Sequence, residues 1–90
     1  MVRKNKKYID FIKEQPCCVT GGEAVPHHVR TLGECGTGLK PPDYFAIPID
    51  PIMHIEELHR HGEELFYSNQ FIDPAKVIIG LLTKYIEETT

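Results

Sequence analysis

The chain has 90 residues, 41% of them hydrophobic and 26% charged, with a formal net charge of −3. That length makes one domain, and the composition is ordinary for a soluble globule. The acidic total excludes a global basic field for holding nucleic acid, and no apolar run approaches the ~20 residues that span a bilayer, so a cytoplasmic protein with no membrane partner is expected.

In chain order, the basic start (Arg3, Lys4, Lys6, Lys7) leads into a predicted helix over residues 5–15. Tyr8, Ile9 and Ile12 recur at helical spacing beside Phe11, and Pro16 ends the run because the residue before a proline avoids the helical region. The amphipathic stretch is not a signal-peptide core. Cys17, Cys18 and Cys35 are an odd set, and without a signal segment disulfides are not expected. Residues 17–20 read as a short strand, Gly21-Gly22 as a hairpin turn, and residues 23–29 as the return strand. Pro26 makes that strand an edge, irregular, or one that begins after it.

Residues 30–43 read as a loop, punctuated by Gly33, Gly36, Gly38, Pro41 and Pro42. The glycines suggest a phosphate cradle but lack the spacing and the Lys-Ser/Thr ending of one. Residues 44–49 form an extended segment entering a helix. Asp50-Pro51 supplies an N-cap and a first-turn proline, and that helix runs to about residue 67 with Gly62 interrupting it. Asp73-Pro74 repeats the signal, and Val77, Ile78, Leu81, Leu82, Tyr85 and Ile86 mark a last helix whose wide apolar stripe is core. The fold class expected is α+β, a β-β-α middle flanked by N- and C-terminal helices, in one domain with a core over about residues 17–67.

Five histidines concentrate the chemistry: His27 and His28 in the second strand, and His54, His59 and His61 in the following helix. Adjacent side chains in a strand point to opposite faces, so one imidazole of the pair can ligate a cation while the other acts as base. Phosphodiester cleavage requires those two roles. Asp43 and Asp50 are the nearest carboxylates in sequence. His61, on a polar and Glu-rich stretch, reads as a surface residue. His54 and His59 are five apart, about 140° off a common α-helical face, and converge only if the helix begins between them or bends.

Pro16-Cys17, Thr20-Gly21, His27-His28-Val29, Gly36 to Asp43 (Gly-x-Gly-x-Lys-Pro-x-Asp), Ile47-Pro48-Ile49, His54, Leu58-His59-Arg60-x-Gly62-Glu63 and Ile72-Asp73-Pro74 follow one another in order. Together they resemble the HNH endonucleases of the phage-encoded, recombination-associated Ref type. The resemblance implies a ββα-metal (HNH, or His-Me finger) core and cleavage of DNA with a divalent cation, Mg, Mn or Zn. It implies that His27, His54 and His59 hold the ion, that His28 is the general base, and that Asp43 takes the place of the family's middle Asn. Lys40, Arg30 and Arg60 would contact nucleic acid. DNA is the partner implied, with a protein partner in recombination.

The chain departs from that family at its zinc knuckle. Where a Cys-x-x-Cys is usual, Cys17-x-x-Thr20 stands, so structural zinc is not expected. The later ligand pair falls on Asp50 and Met53 when aligned forward from Ile47, which keeps His54 on the catalytic position. Aligned backward from Leu58, Ile55 takes that position. The alternative is a degenerate module of the same fold that binds DNA or a protein without cutting.

Overall fold

A computed structural model describes residues 4–32 and 41–89, and it is an α+β domain. Residues 33–40 of the predicted glycine loop, Cys35 and Lys40 among them, lie outside the described residues. Helix α1 spans Lys6–Lys13 and buries Tyr8 and Ile12, close to the predicted limits. Its N-cap is Asn5, whose Oδ1 accepts the Tyr8 backbone N–H at 3.0 Å.

Two antiparallel strands follow, β1 (Val25–His28) and β2 (Ala46–Ile49). The pairing sets Val25 opposite Ile49, Pro26 opposite Pro48, His27 opposite Ile47 and His28 opposite Ala46. Pro26 therefore sits inside β1. The two prolines face each other at a position where neither N–H is needed by the ladder, because the Val29 N–H bonds the Phe45 carbonyl and fixes the alternation of bonded pairs.

The hairpin expected through Gly21-Gly22 does not form. Residues 17–22 close on themselves instead: the Cys17 N–H bonds the Gly22 carbonyl and the Gly21 N–H bonds the Cys17 carbonyl, both at 2.8 Å. Gly21 sits at φ +77°, a conformation glycine adopts freely. One further bond, from the Cys18 N–H to the Pro48 carbonyl at 3.0 Å, docks this turn on the outer edge of β2. The strand that pairs with β1 is thus the later one, the segment the sequence marks only as extended.

All of β2 is buried, and its two faces serve two clusters. Ile47 and Ile49 join Val29, Leu58, Phe66, Tyr67 and Ile78. Ala46, on the other face, joins Tyr8 and Ile12 of α1. Paired residues share a face, so His27 lies with the first cluster and His28 on the α1 side.

After β2 the chain turns helical at Asp50, whose Oδ1 accepts the N–H groups of Ile52 and Met53. Helix α2 (Pro51–Met53) passes into a π-helical turn, His54–Leu58, then α3 (His59–His61). Gly62, at φ +85°, breaks the run before α4 (Glu63–Asn69). The last helix, α5, spans Pro74–Thr89 and is too short and polar to cross a membrane. Between α4 and α5, Phe71 adopts a left-handed φ of +56° where glycine is usual, and the Ile72 N–H reaches back to the Tyr67 carbonyl to close the helix end.

The turn at Cys17 has a structural device of its own. The Sγ atom accepts N–H groups from Val19 and Thr20 at 3.4 Å and from Asp50 at 3.2 Å, tying the turn to the start of α2. Burial pushes the thiol pKa up, but the Thr20, Val19 and Asp50 hydrogen bonds outweigh it and hold it below its ordinary value. Cys17→Ala leaves three N–H groups without this acceptor and is expected to cost about 1–3 kcal/mol, read as a lower denaturant midpoint. Cys17→Ser, which keeps an acceptor, should lose less.

Candidate active site

The histidine pair of β1 feeds two separate clusters. On one face, His27 Nδ1 stands 3.1 Å from His54 Nε2, and His27 Nε2 stands 2.6 Å from Glu63 Oε1. On the other, His28 Nε2 stands 2.8 Å from Asp43 Oδ1. Neither His27 nor Glu63 leaves more than 10% of its side chain exposed, whereas His28 keeps 19%.

The carboxylates decide the tautomers. A carboxylate only accepts, so each imidazole nitrogen facing one carries the proton. His27 then donates from Nε2, and its Nδ1 offers a lone pair toward His54. His28 donates from Nε2 to Asp43, which leaves Nδ1 as its basic atom.

The π-helical turn is what brings the downstream histidines in. In an α-helix residues five apart diverge, but an i→i+5 turn holds more residues per turn and brings them nearer to a common face. His54 and His59 bracket this turn, and their rings meet edge to face with centroids 4.6 Å apart. His27 and His54 meet in the same way at 5.0 Å, so the three imidazoles form one contiguous row. Burial, then the neighbouring His27 and His59, lower the pKa of His54 and favour its neutral form, the form that binds cations.

His27 Nδ1 and His54 Nε2, 3.1 Å apart, are in hydrogen-bond contact, and with His27 Nδ1 unprotonated the proton between them belongs to His54 Nε2. Among the described residues no group of three donors stands assembled for an ion. The imidazoles are donors of the right kind for a transition metal, and the His59 ring lies alongside His54.

A model of the family described as "Protein of unknown function (DUF968)" matches residues 1–78, which include every residue of both clusters. The chain belongs to this family. The chain is 36% identical over 86 residues to the "Uncharacterized protein YdfU" of Escherichia coli (strain K12), a match covering 86% of this chain and 24% of that protein. The chain thus spans about a quarter of that relative's length. No solved structure matches it significantly.

Glu63 is the residue of this DUF968 chain that the sequence shows only as the end of the Leu58-to-Glu63 motif, with no role assigned to it. Its Oε1 accepts His27 and the Arg30 N–H, and its Oε2 accepts the N–H groups of Arg30 and Thr31, at 2.6–3.1 Å. Burial pushes its pKa up, but the His27 and backbone hydrogen bonds and the His27 charge outweigh it and hold the carboxyl below its ordinary range. Its signal in the sequence is slight: a glycine break followed by an acid at a helix start, 33 and 36 residues from the partners. Arg60, His59 and His61 are exposed on the helical run, and Arg30 is exposed beside Glu63. Asp50, the other carboxylate near the histidines in sequence, serves as a helix cap and stays outside both clusters.

These shifts fix how stability responds to acid. The unfolded chain takes up a proton at His54 near pH 6.5 while the folded form resists, so stability falls as pH drops from about 6.5 through the lower folded value. Glu63 contributes stability above pH 4.5 that is lost as pH falls through its depressed folded value. Denaturant midpoints in a chelating buffer are expected to decline in these two windows, His54→Gln flattening the first and Glu63→Gln the second.

Proposed function

We propose that this chain is a divalent-metal-dependent endonuclease that hydrolyses phosphodiester bonds in DNA, built on a ββα-metal core. The observation that carries the reading is the division of the adjacent histidines. His27 is buried among imidazoles with a lone pair directed at His54, and His28 is paired with a carboxylate on the opposite face. One side suits ligation and the other suits base catalysis.

In this reading His27 Nδ1, His54 Nε2 and an imidazole nitrogen of His59 hold the cation. Bound there, it would neutralise charge on the phosphate and the leaving oxygen. His28 Nδ1 removes a proton from the attacking water, and Asp43 Oδ1 holds the resulting imidazolium in place. Glu63 keeps His27 in the tautomer that presents Nδ1. Arg30 and Arg60, both exposed, would contact phosphate in this reading.

Incubating purified protein with supercoiled plasmid tests the reading. Nicked or linear product with Mg²⁺ or Mn²⁺, abolished by chelator and by His28→Ala, is the expected result. The second reading, a module that binds DNA or a protein without cutting, is favoured by the direct His27–His54 contact and the net charge of −3. Plasmid left intact under every metal, with DNA still retarded in a gel, would establish it instead.

A further inference from the structure

One residue outside the strands and their following helix joins the base cluster. Asn5, at the N-cap of α1, donates its backbone N–H to Asp43 Oδ2 at 2.7 Å, while Oδ1 of the same carboxylate faces His28 Nε2 at 2.8 Å. The Asn5 side-chain amide donates to the Tyr44 hydroxyl at 2.7 Å, and its Oδ1 caps α1 through the Tyr8 N–H. A single residue therefore grips both members of the Asp43-Tyr44 pair and is itself fixed by the helix it starts.

We infer that Asn5 is a positioning residue for His28, acting through Asp43. Asp43 opens a three-residue 3₁₀ turn, Asp43–Phe45, whose N-cap Pro42 makes no side-chain cap hydrogen bond. A short turn of this kind does not by itself hold a carboxylate to one orientation. The Asn5 N–H fixes the oxygen that His28 does not use, so the other points at the imidazole. Helix α1 is anchored in turn by Tyr8 and Ile12, both fully buried against Ala46 of β2. The orientation of the base is thus set by the amino-terminal helix, and His28 delivers one nitrogen, Nδ1, to the reaction. This role rests on the nuclease reading for its consequence in catalysis, and on geometry alone for its effect on the His28 ring.

The test uses the full chain and two variants. Asn5→Pro removes the backbone N–H that Asp43 Oδ2 accepts, and Asn5→Ala keeps that N–H while losing the cap and the amide on Tyr44. Nitrogen-15 NMR of the imidazoles at pH 8 in chelator reads the His28 tautomer directly. The parent is expected to show a single Nε2-protonated form. Asn5→Pro should show a mixture, and with Mg²⁺ or Mn²⁺ it should lose roughly tenfold in kcat at unchanged KM, whereas Asn5→Ala should lower the melting temperature with the ring still locked. A His28 ring that stays locked in Asn5→Pro, or that is released equally in Asn5→Ala, overturns the inference. So does a parent ring that is not locked. If the parent cuts no DNA while its ring is locked and Asn5→Pro releases it, the positioning stands and the nuclease reading falls.

Discussion

His28→Ala is expected to lower DNA cleavage by 10²–10⁴-fold, about 3–5 kcal/mol of barrier, while leaving the fold and most metal affinity intact. The imidazole is partly exposed, sits on the α1 face of the sheet opposite Ala46, and has one polar partner among the hydrogen bonds described, Asp43. The His27–His54–His59 row does not include it and stays in place on its removal. A packing role would give a different signature, a lowered melting temperature with a small change in rate. Asp43→Asn should fall between parent and His28→Ala, because an amide can accept from or donate to His28 and so no longer fixes the tautomer. Single-turnover rates on plasmid, set beside thermal melts of each variant, separate these outcomes. Parent-rate cleavage by His28→Ala would place the base elsewhere, with His27 the next candidate.

The local features of this site were legible in the sequence, and the long-range ones were not. The limits of α1 and α5 follow from apolar spacing, Pro16 and Asp73-Pro74, all of which act within a few residues. The opposite facing of His27 and His28 follows from strand geometry alone. The pairing partner of β1 did not follow. Gly21-Gly22 carries a hairpin signal, yet the turn closes on Cys17 because the sulfur accepts three N–H groups, one of them from Asp50 far along the chain. The convergence of His54 with His59 needed a bend in the helix, and the structure supplies a π-helical turn. Such a turn holds one residue more than an α turn. One residue is also the offset between the two alignments of this segment, forward from Ile47 and backward from Leu58. With that turn between them, the His54 and His59 rings meet. No amphipathic pattern announces a π turn, since the flanking polar residues, Glu56 and Glu57, stay exposed in either geometry.

Glu63→Ala is the substitution expected to affect stability and metal binding together. The carboxylate joins the end of β1 to the start of α4: it holds the His27 ring and the backbone of Arg30 and Thr31, with only 10% of its side chain exposed. Hydrogen bonds to a charged group contribute about 1.5–3 kcal/mol, and buried donors left without an acceptor cost a further ~1–3 kcal/mol. A loss of roughly 2–4 kcal/mol is therefore expected in denaturant unfolding. Metal affinity should fall 10–100-fold as well, because His27 without its acceptor is free to take the other tautomer and turn Nδ1 away. Calorimetric titration of Mn²⁺ or Zn²⁺ into parent and variant, at a temperature where both are folded, measures that second effect apart from the first. Glu63→Gln should retain more stability than Glu63→Ala, since its carbonyl oxygen still accepts the backbone N–H groups. It should recover little metal affinity, since a neutral amide cannot hold the imidazole proton as a carboxylate does. Unchanged affinity in Glu63→Ala, with stability lowered, would reduce Glu63 to a joint between β1 and α4 and remove it from the metal site.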